Sequence, residues 1–263
     1  MLYLSQSHLE SFAKCPPTFQ QKYLDQLATP IAPDQQQKMD WGVNFHLAMQ
    51  QLQLGFPLET VTQNPDLQRA IAELLEQLPQ FLQRQTDEFA EAEYRQTLKL
   101  DDVLLTIICD WILFTKKSVA IYDWKTYRQP KNPQFLKDHW QTKLYLYLIA
   151  ETTQYQPKQI SMTYWFITAG EAPQSLTFKY NQTWHKKIKA ELQTLLGALK
   201  QHLQAYLERG IPLQHPENKS CFICEESRQK SSVKQAGKGR SPEIFEQLEN
   251  IDQFLADISA IEV

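Results

Sequence analysis

An acid and a base stand two residues apart near the middle of the chain, Asp123 and Lys125, within Ile121-Tyr122-Asp123-Trp124-Lys125-Thr126. The apolar residues before them predict a strand, on which residues i and i+2 point to the same side. The Asp123 carboxylate and the Lys125 ammonium would then project together, with Trp124 turned away into packing. Thirteen residues upstream a second acid, Asp110, interrupts the apolar run Val103 to Phe114. A charge there is costly unless it is paired or bound to a metal. Two neighbouring carboxylates and a lysine form a minimal set for holding a divalent cation and polarising a water. A plainer account also stands: Asp110 as a strand-end acid at an exposed edge, and Asp123 with Lys125 as a surface ion pair worth little.

Other candidates lie on predicted helices. His46, between Phe45 and Leu47, is either a partly buried, satisfied histidine or an imidazole ligand for a manganese-type ion. Gln141 and Tyr145 are spaced i, i+4 and share a helix face just after the Lys125 strand. That face is either solvated or it hydrogen-bonds phosphate and orients the lysine. Cys221 and Cys224 have metal-ligand spacing, with Cys15 and His215 as distant further ligands; reduced, unliganded thiols are the alternative.

The elements that must position these residues follow from periodicity. Residues 4–27 read as a helix capped by Ser5 or Ser7 and broken at Cys15-Pro16-Pro17. A helix from about Asp40 carries Trp41, Phe45, His46 and Met49 and ends at Gly55-Phe56-Pro57. Another amphipathic helix is expected over 66–90. The period then shortens, predicting strands at Tyr94–Leu100, 103–114 and 118–125. A helix over 135–151, strands over 160–168 and 175–180, and a long helix over 184–208 complete the core. Residues 228–242 are a basic Ser/Lys/Gly linker by composition, and 243–263 form an amphipathic helix with a coiled-coil-like stripe from Ile244 to Ile258.

Composition sets the frame. At 263 residues the chain can bury one sizeable core, and 42% hydrophobic with 22% charged residues is ordinary for a soluble globular protein. No apolar run approaches the ~20 residues that span a membrane, and the N-terminal residues lack a signal-peptide layout, so a cytoplasmic location is expected. A net charge of −3 does not advertise nucleic-acid binding, although a basic lining around an acidic site is invisible in a sum.

One ordered set ties these segments together: Leu4-Ser5-Gln6-Ser7 through Cys15-Pro16 and Phe19, Gly42 to His46, Glu93, Asp110, Asp123-Trp124-Lys125-Thr126, Gln141 and Tyr145. It resembles the RecB-type nuclease domain of the PD-(D/E)xK superfamily. It is similar in organisation to the compact single-domain members and to the CRISPR-associated four-cysteine exonucleases. The resemblance implies an α/β fold over residues 1–227, with a central mixed β-sheet flanked by helices in a restriction-endonuclease-like core and the C-terminal helix added to it. It implies Mg²⁺- or Mn²⁺-dependent cleavage of DNA phosphodiesters, as an exonuclease in repair or recombination. On this basis His46, Asp110 and Asp123 would be side-chain metal ligands, the carbonyl of Trp124 a further one, and Lys125 the catalytic lysine. Gln141 and Tyr145 match the family's Q-x-x-x-Y motif, which borders the DNA path.

The chain departs from the pattern at three places, one of them the coiled-coil-like tail after residue 242, which lies outside it altogether. Ile107 stands where a glycine usually precedes the first metal aspartate, which is expected to narrow the approach to the site. Cys15, Cys221 and Cys224 match three of the four iron–sulfur cysteines, but the last falls near Lys230 and is absent. A relic, a zinc site or a changed ligand set is expected there instead of the usual cluster. The alternatives in function are a non-cleaving nucleic-acid-binding module, or a subunit of a helicase–nuclease or CRISPR-adaptation assembly that meets a protein partner through the C-terminal helix. No phosphate-binding G-x-x-x-x-G-K-[ST] loop is present, so an ATP-driven step would come from a partner.

Overall fold

The computed structural model describes residues 1–27, 33–83, 87–129 and 132–215. The linker at 228–242, the helix at 243–263, and Cys221 and Cys224 lie outside these residues. The described strands are β1 (Leu2–Leu4), β2 (Phe89–Leu100), β3 (Val103–Phe114), β4 (Val119–Lys125), β5 (Ile160–Thr168) and β6 (Glu171–Lys179). The helices are α1 (Gln6–Lys14), α2 (Pro16–Phe19), α3 (Pro33–Gln53), α4 (Leu58–Val61), α5 (Pro65–Gln77), α6 (Pro133–Asp138), α7 (Trp140–Thr152) and α8 (Gln182–Arg209). The strands form one mixed sheet in the order β1-β3-β4-β5-β6, with β2 also paired to β3. The expected fold class, a mixed sheet flanked by helices, is what the chain adopts.

The chain divides into two compact units. The first gathers Met1–Thr29, Leu98–Thr106 and Ala190–Val263. In it β1 runs parallel to the start of β3, Leu2 opposite Val103 and Leu4 opposite Leu105. The sequence reading missed β1, because three residues are too few to show alternation. Helix α1 starts behind Ser5, whose backbone N–H donates to His8 Nδ1 at 3.1 Å. It stops at Cys15, whose φ of −156° is extended, as the residue before a proline prefers. Leu9, Phe12, Phe19 and Tyr23 form the apolar side. Cys15 is buried, and its thiol accepts a hydrogen bond from Thr18.

The second unit, Pro30–Thr97 and Ile107–Lys189, holds every candidate site residue except the cysteines and His215. Strands β4 and β5 are parallel over their length, Asp123 opposite Tyr164 and Lys125 opposite Phe166, with α6 and α7 in the connection between them. A tight hairpin at Gly170 (φ +80°) joins β5 to antiparallel β6. Phe45, Met49, Ile71, Leu74 and Phe81 from the α3–α5 side pack with Trp111, Tyr122, Trp124 and Trp165 of the sheet in one buried cluster. Helix α7 is buried along most of its length, from Trp140 to Ile149, so it carries no simple amphipathic stripe.

Several boundaries differ from the sequence reading. Helix α5 ends at Gln77 rather than near 90, because Leu78-Pro79 breaks it into a short turn. Strand β2 begins at Phe89. The helix expected over 135–151 is two helices, with His139 as the N-cap of the second. Ile107 is fully buried in the core, so its bulk does not narrow the approach to Asp110 as expected.

Candidate active site

The site is built where two paired strands part. Strands β3 and β4 are antiparallel from Phe114–Val119 to Trp111–Tyr122, and the ladder stops there. One residue further along β3, the Asp110 side chain takes over, its Oδ2 accepting from the backbone N–H of Trp124 at 2.6 Å. A carboxylate thus stands in for a main-chain partner at the fork.

Helix α3 brings His46 to the same place. Its Nε2 lies 3.1 Å from the Trp124 carbonyl oxygen, and its Nδ1 lies 3.4 Å from Asp110 Oδ1. A carbonyl can only accept, so Nε2 carries the proton of that hydrogen bond. The Nδ1 atom then presents to Asp110 either a second proton or a lone pair that needs a cation in front of it. The helix can lie this close because of Gly42, one turn before His46. A Cβ at Gly42 would stand 2.9 Å from Thr126 Oγ1.

Glu93 of β2 completes a cluster. Ligand atoms of His46, Glu93 and Asp110 all lie within 4.8 Å of one another. Glu93 adopts φ +53°, a left-handed conformation uncommon for a non-glycine residue and of the kind that recurs at bulges and functional sites. The sequence reading placed Glu93 in the ordered set but gave it no role. Its neighbours alternate like any half-buried strand, and backbone strain leaves no mark in a sequence.

Asp123 and Lys125 form a second, more enclosed group beside the first. Lys125 Nζ is 2.7 Å from Asp123 Oδ1, and Asp123 is 2% exposed. Gln141 of α7 binds both: its Oε1 accepts from Lys125 Nζ at 2.9 Å, and its Nε2 donates to Asp123 Oδ2 at 2.6 Å. The ammonium also sits 5.4 Å from the centre of the Tyr164 ring. The shared direction expected of Asp123 and Lys125 is therefore present, and the pair is buried rather than a surface ion pair.

The electrostatics reflect crowding. Burial alone would lower His46, but the charge and hydrogen bond of Asp110, with Asp123 behind it, lift it from 6.5 to about 8. Burial raises Asp123 from 3.8 to about 6, against the pull of Lys125. Burial and the nearby Asp110 also raise Glu93. Burial would lower Lys125, yet Asp123 and Asp110 hold it above its ordinary value.

Tyr145 lies in the interior, with Leu144, Leu148 and Ile149 of the same helix. It is 2% exposed, and its hydroxyl donates to the Ile108 carbonyl at 2.5 Å. It props β3 beside Asp110. Gln141 turns inward to the acid and the lysine. Cys15 lies in the other unit, and its expected partners fall outside the described residues.

The model of the PD-(D/E)XK nuclease superfamily matches residues 3–228. The chain belongs to that superfamily. This nuclease resembles in fold a solved Eubacterium rectale protein named "Putative exonuclease", at 13% identity, with a TM-score of 0.53 and 95% of this chain and 94% of that one covered. A second structure, SSO0001, overlaps more loosely, with a TM-score of 0.34 at 12% identity over 74% of this chain and 76% of that one. No curated protein matches the sequence. Membership makes the chain a phosphodiester hydrolase with a nucleic-acid substrate, in a superfamily that usually uses divalent metals. Among the described residues no helix is long and apolar enough to cross a membrane.

Proposed function

We propose that this nuclease is a RecB-type, Mg²⁺- or Mn²⁺-dependent deoxyribonuclease that works as an exonuclease in DNA repair or recombination. The observation that carries the reading is the adjacency of two groups: the His46, Glu93 and Asp110 cluster, and the Asp123, Lys125 and Gln141 triad. The first fits a hard divalent ion. It offers carboxylate oxygens and one imidazole nitrogen, a donor set suited to Mg²⁺ or Mn²⁺. Asp110, His46 and Glu93 would hold the ion, with Asp123 and the Trp124 carbonyl as further ligands. When bound, such an ion lowers the pKa of a water and neutralises charge on the phosphate.

The chain's own residues account for the rest. Lys125 is a cation at neutral pH, held by Asp123 and aimed by Gln141. It donates hydrogen bonds to a water or to the oxygens on which charge develops in the transition state. Asp123 and Gln141 restrict the ammonium to one orientation, so little reorganisation is needed during reaction. Trp124 contributes through its peptide group, with its N–H fixing Asp110 and its carbonyl fixing His46.

The name of the Eubacterium rectale neighbour and the ordered motifs support exonuclease action. The test is cleavage of end-labelled single- and double-stranded DNA with Mg²⁺, Mn²⁺ or EDTA. Stepwise shortening from an end in Mg²⁺ or Mn²⁺, and none in EDTA, is the expected result. Binding without cleavage under every condition would return the chain to the alternative of a non-cleaving module.

A further inference from the structure

The outward face of α3 is apolar where a solvated helix carries charge. Met39, Val43 and Leu47 are spaced four apart and form one ridge. Among the described residues nothing covers it: the three are 50%, 60% and 48% exposed. Leu54, just past the end of the helix, continues the row, with its N–H still donating to the Gln50 carbonyl at 3.2 Å. From Trp41 to Leu58 the chain contains no Asp, Glu, Lys or Arg. The opposite face of the helix is already occupied, since Phe45, Ala48, Met49 and Leu52 are buried in the core. The ridge is thus a contiguous exposed row and not a scatter of single apolar residues. Its composition, with charge depleted and methionine present, is that of an interface centre.

The order of residues along the ridge also reads the same from both ends. Counting outward from Val43, Met39 and Leu47 stand four residues away on either side, and Gln36 and Gln50 stand seven away. Two such helices lying antiparallel and crossing at Val43 set Met39 of one against Leu47 of the other, and Gln36 against Gln50. A twofold axis generates this arrangement, because in an isologous contact residue i meets j and j meets i. Like charges would prevent a surface from meeting itself. Here the polar members are amides, and each amide carries both donors and an acceptor. Gln36 donates one N–H to Asp40 Oδ1 at 2.8 Å and keeps its carbonyl oxygen and second N–H. Asp40 itself stands at the border of the ridge.

We propose that this ridge is the contact between two copies of the chain, joined about a twofold axis at Val43. His46 lies one turn from Val43 on the same helix, so the two copies' His46 residues flank the axis. The inference uses only the surface of α3 and stands apart from the nuclease reading.

The test is sedimentation equilibrium of the full chain, without metal or nucleic acid. The mass of wild type rises from that of a monomer towards twice that value over about 1 to 100 μM, the affinity range of a small contact. Val43→Glu and Val43→Lys each set like charges against one another at the axis, and each weakens association at least tenfold. Val43 is well exposed, so both variants keep the fold, which thermal melting at low concentration checks. An equimolar mixture of the two variants restores the dimer, because Glu of one copy then faces Lys of the other. A wild type that stays monomeric at about 100 μM overturns the proposal, whether another part of the chain or a different protein covers the ridge. So does a dimer that both variants leave intact, or a pair of variants that stays monomeric when mixed.

Discussion

The Gln141 amide donates to Asp123 Oδ2 at 2.6 Å from a helix that begins at Trp140, after the Asp123 strand has ended at Lys125. Its other end accepts from Lys125, so one side chain bridges the acid and the base, which also pair directly at 2.7 Å. Replacing it with alanine leaves both charges in place but releases them. Gln141→Ala is expected to lower kcat by about 10- to 100-fold, as for other residues that orient a metal or catalytic group, with little change in fold stability. Turnover at saturating cation and substrate measures this.

Lys125→Ala should remove cleavage while sparing cation binding. The ammonium touches Asp123 and Gln141 rather than the His46, Glu93 and Asp110 cluster. The loss should appear in the chemical step, as a fall in kcat of about 100-fold or more, because lysine acts on charge present only in the transition state. Mn²⁺ titration calorimetry should give unchanged or tighter binding. A variant that cuts at near wild-type rate would rule out the assigned role.

Glu93→Gln separates backbone strain from charge. The amide keeps the size of the side chain at φ +53° but contributes one charge less to a crowded site. Metal-free stability should be unchanged or slightly higher, while Mn²⁺ affinity should fall by about tenfold. Parallel denaturation and titration check the two halves of the expectation.

Gly42→Ala would put a methyl group 2.9 Å from Thr126 Oγ1 and push α3 off β4 at the turn that carries His46. Overpacking of this kind costs about 1–3 kcal/mol. Thr126→Ala removes the offending oxygen. The double variant should therefore recover much of the stability and Mn²⁺ affinity that Gly42→Ala loses. Additive losses would show that the contact is not the cause.

His46 gives the metal-free protein a pH dependence of definite sign. Its pKa rises on folding from 6.5 to about 8, so the charged imidazole facing Asp110 stabilises the fold in full below about pH 6.5. That contribution fades as pH rises through 8. With a side chain about one-third exposed, the effect is screened to roughly 1 kcal/mol. Chemical denaturation in EDTA between pH 6 and 9 should show the decline in wild type and a flatter profile in His46→Gln.

Much of the site was readable in one dimension. The i, i+2 spacing of Asp123 and Lys125 encoded their shared direction, because the strand period depends only on backbone geometry. Asp110 stood out as a charge in an apolar run. What escaped depended on contacts between distant segments. Tyr145 shared a predicted helix face with Gln141, but helical spacing gives a face without saying what covers it. Glu93 drew no role because its left-handed φ is imposed by the surrounding strands. The two-helix form of 133–152 was hidden because apolar residues on both sides of a buried helix carry no phase.

The peptide unit of Trp124 touches Asp110 on one side and His46 on the other, while its indole lies buried against Phe81 and Tyr122. The site is thereby wired to a chromophore of the protein itself. An ion held by His46 and Asp110, as proposed, would change the field around this buried indole, so tryptophan emission would serve as a built-in optical gauge of occupancy. Paramagnetic Mn²⁺ should quench that emission more than Mg²⁺ does, and Trp124→Phe should silence most of the difference. Occupancy could then be followed in unlabelled protein with no nucleic acid present.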